Sequence, residues 1–253
     1  MIELIDSHCH LDFEQFDDDR GNIMEHCQQL GLTHIIVPGV TANTWHHLLH
    51  ICQQSDMLYP ALGLHPMFMK QHHPKHLAQL KQLITTHQTV AIGEIGLDFY
   101  LQNHDKKSQL ELFCKQLQIA KEIELPVILH VRKAHDHTIK LLKQYALKGG
   151  IVHAFNGSEQ QARQYIKLGF LLGVGGVITH EKATRLRQMF SHLPLSALVL
   201  ETDAPDMPLA NMQQLRNTPE NIPSILAELS EIRTESAKQI AHSTTRNVKE
   251  LFL

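Results

Sequence analysis

Short apolar runs alternate along the chain with longer stretches of helical period. Eight runs predict strands, at 2–5, 34–37, 59–64, 90–95, 127–130, 151–155, 170–174 and 197–200. They are apolar at consecutive positions and rich in β-branched residues, as parallel strands buried on both faces are. Between them the spacing predicts helices over 19–30, 44–54, 74–87, 105–124, 137–145, 159–168 and 181–190. Leu77, Leu80, Leu83 and Ile84 fall on one face of the third, and Leu110, Phe113, Leu117 and Ala120 on one face of the fourth. Gly31 ends the first helix, and Gly169 stands where a C-terminal cap is expected. Two further helices are predicted over 221–230 and 235–251. Eight βα units in 253 residues predict one α/β domain over 1–253, a single (β/α)8 TIM barrel with extra C-terminal helices. A doubly wound open sheet is the competing arrangement.

Composition adds little to this and excludes some classes. A hydrophobic fraction of 43% and a charged fraction of 19% suit a globular chain with a sizeable core. No composition break marks a second domain. The formal net charge of −3 argues against broad electrostatic binding of nucleic acid and leaves room for a local phosphate pocket. Cys9, Cys27, Cys52 and Cys114 form no CxxC pair and no disulfide framework, which fits a reducing compartment. The first residues lack the basic start and apolar core of a signal peptide. No apolar run reaches the roughly 20 residues needed to span a membrane. A cytoplasmic monomer is the expectation.

Polar residues recur at the predicted strand ends. The first run leads into His8 and His10, two positions apart and so on one side of an extended chain. The third ends at His65, and the fourth carries Glu94 in Gly-Glu-Ile-Gly-Leu-Asp. The fifth ends in His130 with Arg132 beyond it, the sixth carries His153, and the eighth runs into Glu201 and Asp203. Each alone has a plainer reading. With 20 His in the chain, pairs two apart arise by chance, and His135 with His137 is another. Glu94 reads equally as a loop carboxylate, His130 and His153 as hydrogen-bonded core histidines, and Asp203 as a turn residue before Pro205.

Their joint placement is harder to assign to chance. A closed barrel brings all its strand C-terminal ends to one mouth. Four His and two carboxylates at the ends of five strands would meet there. With no Cys among them a soft thiolate site is excluded, and the set suits zinc, manganese, nickel, magnesium or iron. Six ligands exceed the three of a single catalytic zinc and fit two metals sharing a carboxylate.

The motifs that carry these residues resemble those of the TatD-like metal-dependent hydrolases of the amidohydrolase superfamily. They are Asp-Ser-His-Cys-His-Leu-Asp at 6–12, Gly-Leu-His-Pro at 63–66 and Gly-Glu-Ile-Gly-Leu-Asp at 93–98. Pro-Val-Ile-Leu-His-Val-Arg at 126–132, His-Ala-Phe-Asn-Gly-Ser at 153–158 and Leu-Glu-Thr-Asp-Ala-Pro at 200–205 follow in order. Arg-Asn-Thr-Pro-Glu-Asn at 216–221 is similar to a late Asn-Pro segment of the family. Met67 and Asn156 depart from the commoner family residues at their positions, in flanks that bear on substrate fit.

The resemblance implies a barrel with two divalent metal ions, zinc, manganese, nickel or magnesium. His8, His10 and Asp203 would hold one, His130 and His153 the other, and Glu94 would bridge them. It also implies hydrolysis of phosphate esters, as a deoxyribonuclease or phosphodiesterase, with single-stranded DNA ends as one candidate substrate. In that scheme Asp203 acts as general base on a metal-activated water. His65 and Arg132 contact the phosphate, and Glu201 is a candidate orienter of a ligating His. The alternative is a small-molecule amidohydrolase, deaminase or lactonase on the same barrel. Related two-metal barrels that bridge their ions with a carbamylated Lys take it from the fourth strand, where this chain has Glu94 and no Lys.

Overall fold

The computed structural model describes residues 2–101, 105–212 and 215–253. Eight parallel strands form one sheet in sequential order. They are β1 (Leu4–Asp6), β2 (Leu32–Pro38), β3 (Leu58–Leu62), β4 (Ala91–Asp98), β5 (Val127–Arg132), β6 (Gly150–Val152), β7 (Phe170–Val174) and β8 (Leu198–Leu200). Between them run α1 (Arg20–Gln29), α2 (Trp45–Cys52), α3 (Lys75–Thr86), α4 (Lys106–Ile123), α5 (His135–Leu142), α6 (Glu159–Lys167) and α7 (Thr184–His192). The helices α8 (Ile222–Glu231) and α9 (Ala237–Phe252) follow β8. This is the expected (β/α)8 barrel with its C-terminal helices, and the open sheet is set aside. The Ser7 N–H donates to the Leu200 carbonyl at 2.9 Å, and the Asp203 N–H to the His8 carbonyl at 2.9 Å, so the end of β8 meets that of β1.

Two apolar layers follow from strand alternation. Ile5, Ile36, Ala61, Ala91, Ile128, Ile151 and Val199, one from each of seven strands, form a cluster whose helical members, among the described residues, are Val248, Phe252 and the partly buried Leu251 of α9. With no residue from α1 to α8, that layer lies inside the barrel, and α9 closes its lower end. The opposite faces, including Leu4, Ile35, Leu62, Ile92 and Leu129, pack with the surrounding helices in the larger cluster.

Irregular points in the ladder aim the polar residues. Ile92 pairs with Val127 and Ile95 with Leu129, so Gly93 and Glu94 together face the single residue Ile128. This bulge turns Glu94 out of the β5 ladder, and its N–H donates instead to the Gly39 carbonyl at 3.0 Å. Beyond the bulge β4 continues to Asp98, three residues past the predicted end. Gly96 pairs with His130, and a Cβ there would overlap the His130 carbonyl. Its φ of +147° is a second reason for glycine at this point. The strand β6 ends at Val152, sooner than predicted, and Ala154 just beyond it adopts φ +44°. The helix α7 starts at Thr184, later than predicted, and a separate 3-10 turn, Gly176–Thr179, precedes it.

Candidate metal centre

The strand ends bring five imidazoles and two carboxylates together around Glu94, whose side chain is 2% exposed. Its Oε1 lies 3.0 Å from His130 Nδ1, 3.1 Å from His65 Nε2 and 3.2 Å from His153 Nε2. Its Oε2 lies 3.3 Å from His8 Nε2 and 3.5 Å from His10 Nε2. Asp203 Oδ1 adds a third edge to the latter group, 3.4 Å from His8 Nε2 and 3.7 Å from His10 Nε2. Two groups of potential ligand atoms therefore share Glu94: His8 with His10, and His65 with His130. A third brings His8, His153 and Glu201 together.

Hydrogen bonds on the far side of three of the rings fix which nitrogen faces the cluster. His10 Nδ1 donates to the Pro38 carbonyl at 3.0 Å, so Nε2 is the nitrogen turned to Glu94 and Asp203. His130 Nε2 lies 3.2 Å from Asp98 Oδ2 and donates to it, which leaves Nδ1 on the Glu94 side. His65 has the opposite tautomer. Its Nδ1 accepts the Met67 N–H at 3.0 Å, so its Nε2 carries the proton and donates to Glu94 Oε1. A ring in that state is a hydrogen-bond donor, not a metal ligand. Facing nitrogens at 3.3 Å in His8 and His10 have room for at most one proton between them.

The electrostatics match this crowding. Burial is the largest influence on Glu94 and opposes its charge, yet the surrounding imidazoles, His65 and His153 foremost, outweigh it and hold the carboxyl well below the usual range. Burial also opposes charge on His10, but the Glu94 hydrogen bond and charge prevail and raise it to about 9. The same balance lifts His153, through Glu94 and Asp203. Burial wins at His8, which falls well below its ordinary value with help from the neighbouring His153 charge, and at His65, which falls to about 4. Burial raises Asp203 to about 6 against the pull of His153 and His10. Negative charge on Glu94 is thus held among imidazoles that it draws toward protonation, and a cation bound there would take the place of those protons.

Residues outside the ligand groups set the frame. Asp6 accepts from the N–H of His8 and from the N–H and hydroxyl of Thr202, pinning the ends of β1 and β8 to one another. Asn217, in the late Asn-Pro segment, donates to the carbonyls of Thr202, Asp206 and Met207 and so clamps the loop that carries Asp203. Arg20 is buried and holds the Leu11 and Phe13 carbonyls behind His10. Arg132 places its guanidinium 3.9 Å above the Tyr100 ring. Glu201 is buried, with Oε1 accepting the Ala154 N–H and lying 3.7 Å from His153 Nδ1. Cys9, between the two histidines in sequence, is fully buried in the apolar core. Asp98 carried no assigned role in the sequence. The only signal there was its place in the Glu94 motif.

Known proteins bear out the resemblance. A sequence profile of the family described as TatD related DNase matches residues 5–253. The uncharacterized metal-dependent hydrolase YjjV of Escherichia coli (strain K12) is 41% identical, over 100% of this chain and 98% of its own. The crystal structure of the TatD homologue YjjV from Escherichia coli K12 has a TM-score of 0.96 to this chain, at 41% identity, covering 99% of this chain and 98% of that one. A protein named 3'-5' ssDNA/RNA exonuclease TatD, from Erwinia tasmaniensis, is 31% identical over 94% of this chain and 95% of its own. With its barrel and its whole length matched in this way, the chain belongs to the family of TatD-related DNases.

Proposed function

We propose that this chain hydrolyses phosphate esters, as a deoxyribonuclease or related phosphodiesterase, with two divalent cations at the barrel mouth. The observation that carries the reading is the double engagement of Glu94, with imidazole nitrogens crowding each of its two oxygens in a buried site. The donor set fits such ions, because His10 turns Nε2 and His130 turns Nδ1 inward, each with its other nitrogen hydrogen-bonded outside the cluster, and the His8 and His10 nitrogens face one another at 3.3 Å. His8, His10 and Asp203 would hold one cation, His130 and His153 the other, with Glu94 shared. His65, protonated on Nε2, stays outside the ligand set and presents an N–H. Imidazole and carboxylate donors admit zinc, manganese, nickel or magnesium.

What such a pair supplies when bound is Lewis acidity toward the phosphoryl group and a more acidic water. The protein's part is to place and move protons. Asp203 is the more exposed of the two central carboxylates, 16% against 2% for Glu94, and so reaches the substrate side. It takes a proton from the attacking water as the water oxygen bonds to phosphorus. The P–O ester bond breaks, and that proton is delivered to the leaving oxygen. Arg132, steadied on Tyr100, offers charged donors to a phosphate. Relatives named as single-strand exonucleases support strand ends as the substrate.

The test pairs metal content with activity. Wild type and Glu94→Ala are assayed for metals per chain and for cleavage of a chromogenic phosphodiester and of single-stranded DNA with manganese or magnesium. About two metals and metal-dependent cleavage, both reduced in the variant, are expected. Full metal loading without phosphoesterase activity would overturn the reading and turn attention to amides and lactones.

A further inference from the structure

Two glutamines sit on the buried face of α4, among Phe113, Leu117 and Ala120. Gln109 is 1% exposed and Gln116 is fully buried. Seven residues make close to two helical turns, so both side chains leave the helix on one side, about 10 Å apart along its axis. A buried amide needs hydrogen-bond partners, and each of these finds them on a single residue. The Gln116 side-chain oxygen accepts the Leu64 N–H at 2.8 Å, and its NH2 donates to the Leu64 carbonyl at 3.0 Å. Gln109 clasps Asp98 in the same way, at 2.9 and 3.0 Å. We propose that Gln109 and Gln116 are positioning residues that set His130 and His65 against one oxygen of Glu94.

The strand pairing explains why side chains are needed at these two points. The strand β3 pairs with β4 through Ala61 with Ala91 and Leu62 with Ile92, and the ladder stops there. Farther along, the His65 N–H turns to the Val40 carbonyl and the Phe99 N–H to the Arg132 carbonyl, on the outer sides of the two strands. Leu64 and Asp98, one residue earlier in each case, therefore turn their N–H and C=O toward the gap between β3 and β4. Buried backbone groups left there without partners would be costly. Each glutamine amide offers the acceptor and the donor that a neighbouring strand would have supplied.

What the two amides hold is the support of two rings. His65 follows Leu64 directly, and its Nε2 donates to Glu94 Oε1 at 3.1 Å. Asp98 accepts from Nε2 of His130, whose Nδ1 lies 3.0 Å from the same Oε1. On the Oε2 side, His8 and the loop that carries Asp203 are framed instead by Asp6 and Asn217. The glutamines therefore act on the half of the centre that contains His130. Which cation this concerns rests on the two-cation reading under Proposed function; the positioning itself rests on the hydrogen bonds.

The experiment compares Gln109→Leu and Gln116→Leu with Leu117→Ala, which loosens the packing of α4 and leaves both amides in place. Gln109→Glu and Gln116→Glu keep the acceptor for the backbone N–H and supply the same readings if a leucine variant does not fold. Histidine side-chain 15N NMR of the metal-free chains follows the Nε2–H signals of His65 and His130. Manganese titration followed by electron paramagnetic resonance counts bound ions and tells a coupled pair from a single ion. Wild type and Leu117→Ala should share both N–H signals and the spectrum of a coupled pair. Gln109→Leu should shift or lose the His130 signal, and Gln116→Leu the His65 signal. Both should bind the second manganese about tenfold more weakly, with the first little changed, and glutamate should recover part of the loss. Unchanged N–H signals and unchanged manganese binding in the glutamine variants would overturn the proposal, as would an equal loss in Leu117→Ala. A single manganese in wild type, with the N–H signals shifted as expected in the variants, would overturn the two-cation reading and support the positioning.

Discussion

His130 stands between two carboxylates, with Nδ1 3.0 Å from Glu94 Oε1 and Nε2 3.2 Å from Asp98 Oδ2. Asp98 is fully buried and also accepts the Tyr100 N–H at 2.9 Å, so its position is fixed by the chain itself. An acidic partner on the outer nitrogen sets the tautomer of a ligating imidazole and raises its basicity. Asp98→Ala should therefore weaken metal affinity by about 10–100-fold. Asp98→Asn, which keeps an acceptor oxygen, should lose less. Competition with a chromophoric chelator measures both. Equal affinity in wild type and Asp98→Ala would show that His130 does not depend on this bond.

Asp203 is the second test of the scheme. Asn in its place keeps the shape and one oxygen near His8 and His10 but no longer accepts a proton. With metal held saturating and its content checked, Asp203→Asn should lower kcat by about 10²–10⁴-fold, the usual worth of a positioned base. KM should change far less. A rise in KM at intact kcat would instead make Asp203 a binding group.

Much of this was legible in the chain, for reasons visible in particular residues. The β5 stretch Val127–Leu129 is apolar at every position because both its faces are buried, and the same holds along Ile35–Val37. A polar residue at the end of such a run is conspicuous, which is why His8, His130 and His153 stood out. Asp98 did not, because β4 was expected to stop at Ile95. The bulge at Gly93 and Glu94 shifts the register, so the strand carries on to Asp98. The state of His65 was hidden for another reason. It depends on the Pro66–Gln71 turn folding the Met67 N–H back onto Nδ1, a matter of backbone path and not of residue type. The roles of Arg20 and Asn217 were hidden because the carbonyls they hold come from loops that only the closed barrel brings near.

Gly173 bears on Glu201. A Cβ at Gly173 would overlap the Glu201 carboxylate, which is buried beside His153. Glycine there provides the space that Glu201 fills. Gly173→Ala should lower stability by about 1–3 kcal/mol, the common cost of overpacking, as read from urea unfolding. In a Glu201→Asp background the shorter side chain leaves room, and the alanine should cost less. The same penalty in both backgrounds would place the strain elsewhere.

His135 gives a prediction for acid stability away from the candidate ligands. The ring is buried, with Nε2 donating to Asn156 Oδ1 at 3.1 Å and Nδ1 3.2 Å from the Tyr165 hydroxyl. Burial, partly offset by the Asn156 bond and the Asp136 charge, lowers its pKa from the ordinary 6.5. The folded state therefore resists a proton that the unfolded chain accepts. Its contribution is fully present above pH 6.5 and is lost as pH falls from there toward the lower folded value. One such group adds at most about 1.4 kcal/mol per pH unit to the slope. His135→Gln should remove that part, so the difference in unfolding free energy between wild type and variant should change steadily below pH 6.5 and level off above it. A difference that does not vary with pH would mean that His135 takes up its proton equally in the folded and unfolded chain.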